Sequence, residues 1–534
     1  MRNLINRIRN TDYFKANNII RLVSGIVDFF LSEDEKLKFI STHETETNMV
    51  CEDRVSYGDW QTPIALAEKV CSNHLSKFGS PDILIEPTCG LGAFVFAALK
   101  KFPNIREIHA IEINSHYTAE LKFSLLQNSL NHPLSRHPDI YIYTADFFEF
   151  DFSPIIEKSR GKNWNTAIIG NPPWVTNSRQ GKIRTQNLPL KTNIYGLKGI
   201  DAITGKSNFD ISEYITLHLL KISQMNRGGI SFLLKNSVIR NILAKQKCDK
   251  IHIGSIEQKL IDAHSEFDVS VEASCFSAQF NCTPALVCSI SDFYTNIHER
   301  EYGWVNNSFV SDTKLYSNVS KYDKASFYVW RSGVKHDCAS VLELTLTNGS
   351  YINGLGEIVQ IEDDLIFPLL KSSDINAYDG ENFRKFVIIP QRKVGADTTT
   401  LQFSHPLSYS YLLKYEDYFY RRKSSIYNNK DKFSIFGIGD YSFKPYKIVI
   451  SSLYKSINFK LISEYNGKPI IVDDTCYQLA FDNFEEAKCV YDALNSSEIQ
   501  SLLKSLIFRD AKRVVTKAVL MRLDITQLCE DNNW

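Results

Sequence analysis

Residues 83–94 read Ile83-Leu84-Ile85-Glu86-Pro87-Thr88-Cys89-Gly90-Leu91-Gly92-Ala93-Phe94. A short apolar strand, Ile83–Glu86, passes through a Gly-containing turn into a helical segment, Ala93–Lys101. A glycine-rich turn between a strand and a helix lets a ligand approach the backbone at the carboxyl edge of a sheet. The same alternation continues along the chain. Strands are expected at Ile108–Glu112, Ile140–Thr144, Ala167–Gly170 and Ile230–Leu234, and helices at Ser115–Leu130 and Ile211–Met225. Asp210 is a plausible N-cap for the last helix, with Glu213 at its third position. Short β-rich runs separated by helices define an α/β fold with a parallel, doubly wound sheet. The apolar stretches Val269–Phe280 and Ala285–Ile290, split by Asn281–Pro284, read as a closing antiparallel pair.

The texture differs on either side of this region. Residues 1–50 are expected to be an N-terminal helical segment, with apolar residues at helical spacing over Ile19–Leu31. The α/β domain is drawn over residues 51–295. Beyond it aromatics are dense, Gly, Asn and Ser recur and periodicity is weak, so residues 300–534 are expected to form a second, mixed α/β domain.

A chain of 534 residues with 43% hydrophobic content is long enough for several domains and a sizeable core. Lys+Arg and Asp+Glu both number 61, giving zero formal net charge. That balance leaves a nucleic-acid partner open, because phosphate binding depends on a local basic surface. No apolar run approaches the ~18 residues of a membrane span, and the charged start lacks the apolar core of a secretory signal. The 11 cysteines are scattered without a Cys-x-x-Cys pair and read as reduced thiols, so no metal site is expected.

The chemistry is concentrated at successive strand ends. Glu112 lies 20 residues beyond Gly92, a distance at which an acid accepts hydrogen bonds from ribose hydroxyls. Asp146-Phe147 follows the next strand and offers a carboxylate and an aromatic face to an adenine ring. Ala167-Ile168-Ile169-Gly170-Asn171-Pro172-Pro173-Trp174 then ends a buried strand in a rigid turn, since two prolines cannot continue a ladder. The turn presents the Asn171 side chain and the Pro172 carbonyl as two acceptors, with Trp174 beside them. Two acceptors suit an exocyclic amine, and an aromatic face suits a base taken out of its stack.

In this order, Tyr57-Gly58-Asp59-Trp60-Gln61-Thr62-Pro63, Glu86–Phe94, Glu112, Asp146-Phe147 and Asn171–Trp174 resemble the amino-methyltransferases of type II restriction–modification systems in their γ arrangement. The resemblance implies a Rossmann-like catalytic domain that binds S-adenosyl-L-methionine, followed by a C-terminal target-recognition domain. It implies that Gln61, Thr62, Pro63, Glu86, Pro87, Gly90 and Gly92 hold the methionine part of the cofactor, Glu112 the ribose, and Asp146 and Phe147 the adenine. It implies likewise that Asn171, Pro172, Pro173 and Trp174 hold the target amine. Phe267, in Phe267-Asp268-Val269, resembles the segment supplying a second aromatic face. Two departures are Glu86 where Asp is commoner and Trp174 where Tyr or Phe is commoner.

The partner so implied is double-stranded DNA, methylated at a specific site by base flipping, with a cognate restriction endonuclease as functional counterpart. A monomeric, cytoplasmic, nucleoid-associated protein is expected. Between Val175 and Ser207, six basic residues (Arg179, Lys182 and Arg184 among them) stand against Asp201 alone, a loop suited to phosphates around the base. Arg331, Lys335, Arg421 and Arg422 lie among aromatics in the second half and are further expected DNA contacts. Asn171 favours adenine N6 as target. Cytosine N4 is the alternative, with RNA or a protein glutamine as more distant ones. No Pro-Cys dipeptide is present, which argues against cytosine C5 chemistry.

Overall fold

The computed structural model describes residues 1–44, 61–133, 136–175, 210–511 and 513–532. Tyr57–Trp60 and the expected DNA contacts Arg179, Lys182 and Arg184 lie outside these residues. The chain divides into two compact units, Met1–Phe309 and Val310–Trp534.

The first unit is organised on one eleven-stranded sheet, in the order β1-β4-β3-β2-β5-β6-β8-β7-β9-β10-β11. Its strands are β1 (Ile26–Val27), β2 (Ile83–Glu86), β3 (Glu107–Glu112), β4 (Asp139–Thr144), β5 (Asn165–Gly170) and β6 (Arg227–Lys235). They continue with β7 (Ile253–Ile261), β8 (Ala273–Phe280), β9 (Val287–Asp292), β10 (His298–Val305) and β11 (Ser308–Val310). From β1 through β6 every pairing is parallel. Every residue of β2 and β5 is buried, as a parallel sheet covered on both faces requires.

The helices that the periodicity predicts are present at Ala93–Lys101, Ser115–Asn131 and Ile211–Ser223, and further ones at Ser153–Gly161 and Asn236–Asp249 join the remaining strands. They are preceded by α1 (Arg2–Arg9), α2 (Tyr13–Ser24), α3 (Glu33–Glu44) and α4 (Ile64–Phe78). The crossovers are α5 (Ala93–Lys101), α6 (Ser115–Asn131), α7 (Ser153–Gly161), α8 (Ile211–Ser223) and α9 (Asn236–Asp249), and a short α10 spans Ala263–Phe267. Asn114 caps α6 and Asp210 caps α8, each side chain accepting from a first-turn N–H.

Three sequence expectations are corrected. The helical spacing over Ile19–Leu31 breaks at Gly25, which ends α2 at φ +78. A Cβ there would lie 2.1 Å from the Pro138 carbonyl oxygen, so glycine lets the chain turn and add β1 beside β4. The closing strands β8 and β9 do not pair with each other, because β7 lies between them, antiparallel to β8 and parallel to β9. The alternating polar residues of β7 concealed it among helical and loop patterns. The strand expected from Val269 begins only at Ala273, since Phe267 ends α10 and Asp268 turns the chain at φ +54. In addition, the first unit extends to Phe309, beyond the drawn boundary of 295, because β10 pairs with β9 and continues the sheet.

The second unit holds a four-stranded and a six-stranded sheet. The smaller has the order β12 (Arg331–Ser332), β21 (Cys476–Phe481), β18 (Tyr446–Ser451), β19 (Lys460–Ile462). The larger runs β15 (Ile358–Val359), β14 (Ser350–Asn353), β13 (Glu343–Thr347), β17 (Lys385–Ile388), β16 (Ile366–Leu370), β20 (Ile471–Val472). Among the described residues no helix is long and apolar enough to cross a membrane.

In β18, Lys447 is 1% exposed, and its ammonium donates to the carbonyls of Ile470 (2.8 Å) and Lys444 (2.9 Å). Burial lowers its pKa to about 7. The unfolded chain therefore binds this proton more tightly, and the contribution of Lys447 to stability is lost as pH falls from above its ordinary range toward about 7. Urea midpoints of the second unit's transition should rise between about pH 7 and pH 10, and Lys447→Met should flatten that rise. Equal slopes in both proteins would contradict a buried, weakly basic lysine.

Candidate active site

Because β2 through β5 run parallel, their carboxyl ends finish on one edge of the sheet. Glu112, at the end of β3, accepts from the N–H groups of Gly90 (2.8 Å) and Asn114 (2.8 Å). One carboxylate thus ties the β2–α5 turn to the end of the neighbouring strand. Gly92 has φ +82, and a Cβ on it would lie 2.2 Å from Leu121 Cδ1, so glycine is required by both conformation and the approach of α6. Gln61 closes over the same turn. Its Oε1 accepts from Leu91 N–H at 3.3 Å, and its amide lies 3.1 Å from where a Gly90 Cβ would be.

Glu86 ends β2 at 1% exposure. The backbone N–H groups of Val95 and Phe94 at the start of α5 favour its charged form, while its Oε2 has no hydrogen-bond partner among the described residues. Burial, reinforced by the charge of Glu112, pushes its carboxyl well above the usual carboxylate range. Thr88 Oγ1, two residues on, is also buried without a partner. The Asp146-Phe147 pair divides its labour. Asp146 is partly exposed at the end of β4 and accepts from Phe148 N–H at 2.9 Å. The Phe147 ring is packed inside, 5.2 Å from Phe152 and 5.8 Å from His218 between ring centres.

Asn171 follows the last residue of β5. Its Nδ2 donates to Thr62 Oγ1 at 3.3 Å, and its Oδ1 is buried with no partner. The turn Pro172-Pro173 then delivers Trp174 into the core at 7% exposure. Its indole N–H donates to the Leu233 carbonyl at 3.1 Å, and its ring meets Phe267 edge-to-face at 5.4 Å and 71°. The two aromatics read separately from the sequence are therefore neighbours. Pro63 caps α4, which places Gln61 and Thr62 over the edge, and Pro87 lies against Gly170, 3.5 Å from where a Cβ would be.

Two participants had not been singled out. Thr88 is hidden inside the glycine turn. Lys235 ends β6 and donates to the Trp174 carbonyl at 2.8 Å and to Asp210 at 2.7 Å. A lysine closing an apolar strand was the only sequence signal for it.

Glu86 Oε2, Thr88 Oγ1 and Asn171 Oδ1 are thus three buried oxygens without partners among the described residues, behind a turn kept clear by glycine. An acceptor-rich, acidic edge of this kind suits a ligand that brings amino donors and positive charge, which fits S-adenosylmethionine.

In the second unit the expected DNA contacts have different surroundings. Arg422 donates to the carbonyls of Ser434 (2.7 Å), Lys432 (2.9 Å) and Phe419 (3.0 Å) and stacks on Tyr427 at 3.7 Å. Its guanidinium thus clamps three stretches of the second unit's own backbone. Arg331 and Arg421 are exposed, the former 5.6 Å from the Tyr441 ring, and Lys335 pairs with Asp337 at 3.1 Å.

This doubly wound sheet, with its glycine turn and its Asn-Pro-Pro-Trp edge, is a Rossmann-like α/β methyltransferase fold. No family model matches the chain. It is 41% identical over 487 residues to the type II methyltransferase M.NspV of Nostoc sp., covering 89% of this chain and 98% of that one. The chain belongs to the type II DNA methyltransferases of restriction–modification systems. Its fold also matches that of the type IIL restriction–modification enzyme MmeI, solved in complex with DNA, at a TM-score of 0.53 and 12% identity. That likeness covers 95% of this chain and 66% of MmeI, and it bears on the fold alone.

The raised pKa of Glu86 has a measurable consequence. An acid held neutral by the fold contributes stability below its ordinary range that is lost as pH rises toward its folded value. Without cofactor, the thermal midpoint of the first unit should fall between pH 5 and pH 8, and Glu86→Gln should fall less over the same interval. Parallel curves would show that Glu86 is charged throughout.

Proposed function

We propose that this chain transfers a methyl group from S-adenosylmethionine to N6 of adenine at a specific site in duplex DNA, protecting that site from a cognate restriction endonuclease. The observation that carries the reading is the Asn171 side chain: one end is tethered to Thr62, and the other presents a buried acceptor without a partner. An amine hydrogen fills that need, and the Pro172 carbonyl offers a second acceptor in the same rigid turn. Two acceptors draw the amine hydrogens away from the ring plane, so the lone pair is freed from conjugation and aligned for attack. The cofactor, when bound, supplies an electrophilic methyl on a sulfonium centre.

The chain's own contribution is positioning and electrostatics. Gln61, Thr62, Pro63, Glu86, Pro87, Gly90 and Gly92 would hold the methionine end. Glu112 would take the ribose. Asp146 would accept from the adenine amino group, with Phe147 supporting it from within the core. Trp174 and Phe267 would wall the pocket for an extruded base. The second unit would read the target sequence, with Arg331, Lys335 and Arg421 toward DNA.

Asn171→Ala removes the acceptor and keeps the Pro-Pro backbone. Calorimetric affinity for S-adenosylmethionine should stay within about twofold, while methyl transfer to duplex DNA falls by roughly two to four orders of magnitude, the worth of about 3–5 kcal/mol in a transition state. Chromatography of nucleosides from DNA labelled by the wild type should place the methyl on adenine N6. Label on cytosine N4 would correct the base, and label on cytosine C5 or near-normal turnover in Asn171→Ala would overturn the mechanism.

A further inference from the structure

The turn Asn171-Pro172-Pro173-Trp174 cannot fasten itself. Both prolines lack an N–H, so the turn contributes few donors of its own, and its carbonyls need donors from elsewhere. The partners that fasten it, one acceptor and one donor, come from one strand. Leu233 of β6 accepts the Trp174 indole N–H at 3.1 Å, and two residues further Lys235 donates its ammonium to the Trp174 carbonyl at 2.8 Å. The same ammonium donates to Asp210 Oδ2 at 2.7 Å. The lysine and aspartate side chains are 20% and 10% exposed, so the pair is largely out of solvent. Asp210 is itself fixed, its Oδ1 accepting from Ser212 N–H (3.0 Å) and Ser212 Oγ (2.6 Å) at the head of α8. Ile211 N–H also donates to the Val175 carbonyl at 3.0 Å. The end of the turn, the head of α8 and the end of β6 therefore meet on one charged group.

We propose that Lys235 is a positioning residue for methyl transfer, holding the Trp174 carbonyl and thereby the placement of the Asn171–Pro172 acceptors. The proposal rests on the function argued above. Lys235 touches neither of those acceptors; it acts on them through the backbone of a turn too stiff to shift at one end without shifting at the other. A displacement of about 1 Å in such a site costs on the order of a hundredfold in rate.

A merely structural lysine would neutralise Asp210 and do nothing else, and a pair of variants separates the two roles. Lys235→Met strands the buried Asp210 charge and should lower both thermal midpoint and methyl transfer. Lys235→Met/Asp210→Asn removes both charges and keeps a helix cap, because Asn caps as well as Asp. The double variant should regain most of the lost thermal midpoint, and calorimetric affinity for S-adenosylmethionine should stay within about twofold of wild type. Its single-turnover methyl transfer to duplex DNA should remain about tenfold to a hundredfold slow, with a diminished fluorescence rise from 2-aminopurine at the target position. Lys235→Arg, which keeps a cationic donor, should recover part of the rate. Wild-type transfer in the double variant, or unchanged transfer in Lys235→Met, would overturn the positioning role while leaving the assigned function intact. A wild-type protein that methylates no DNA would overturn both.

Discussion

A parallel ladder sends β2, β3, β4 and β5 to the same edge of the sheet, and Pro172-Pro173 stops the last of them one residue past its final buried position. The rest of the first unit depends on that stop. Had β5 continued, Asn171 would be an ordinary ladder residue with its side chain on one face of a covered sheet. Ended by two residues without N–H groups, the chain turns outward. Asn171 is left at the rim, with one side-chain atom held by Thr62 and the other unsatisfied. The indole of Trp174 and the ammonium of Lys235 then lock the far side of the turn to β6. A flexible loop carrying the same residues would have to lose conformational entropy at each turnover, whereas this turn is ordered in advance.

The rim is also an electrostatic arrangement. Glu86 and Glu112 stand close enough that the charge of one raises the pKa of the other. Glu112 is satisfied by two backbone N–H groups, and Glu86 is left with a buried oxygen that nothing in the described chain fills. An unpaired buried carboxyl is costly, and a cationic or amino-bearing ligand is what relieves it. The glycine turn between them keeps the backbone bare, because Leu121 already occupies the space a Gly92 side chain would need. The proposed cofactor pocket and the proposed catalytic turn are thus two parts of one edge, joined through the Thr62–Asn171 bond.

Much of this was legible in the sequence because it follows from local rules. Period and composition placed Ile83–Glu86 and Ala93–Lys101 at their observed bounds, and Asp210 caps its helix as its side chain allows. The motif order located the edge, since in a parallel sheet sequence order and spatial convergence coincide. What escaped depends on tertiary partners. β7 is half polar and becomes a strand because β8 and β9 flank it. Arg422 looks like any basic residue among aromatics until three carbonyls converge on it. Lys235 is meaningful only beside a carbonyl that lies 61 positions away in the chain. The reach of the first unit to Phe309 was equally hidden, because a strand that extends an existing sheet carries no mark of which domain it will join.

On the proposed function, this edge modifies an exocyclic amine of DNA. Long-read sequencing of total DNA from cells expressing the chain is the decisive measurement, because modified bases are read in place and the recognition sequence emerges with them. N6-methyladenine is expected at one recurrent short sequence, absent from cells expressing Asn171→Ala at equal level. Unmodified DNA in cells that contain the folded protein, or modification confined to cytosine C5, would contradict that function.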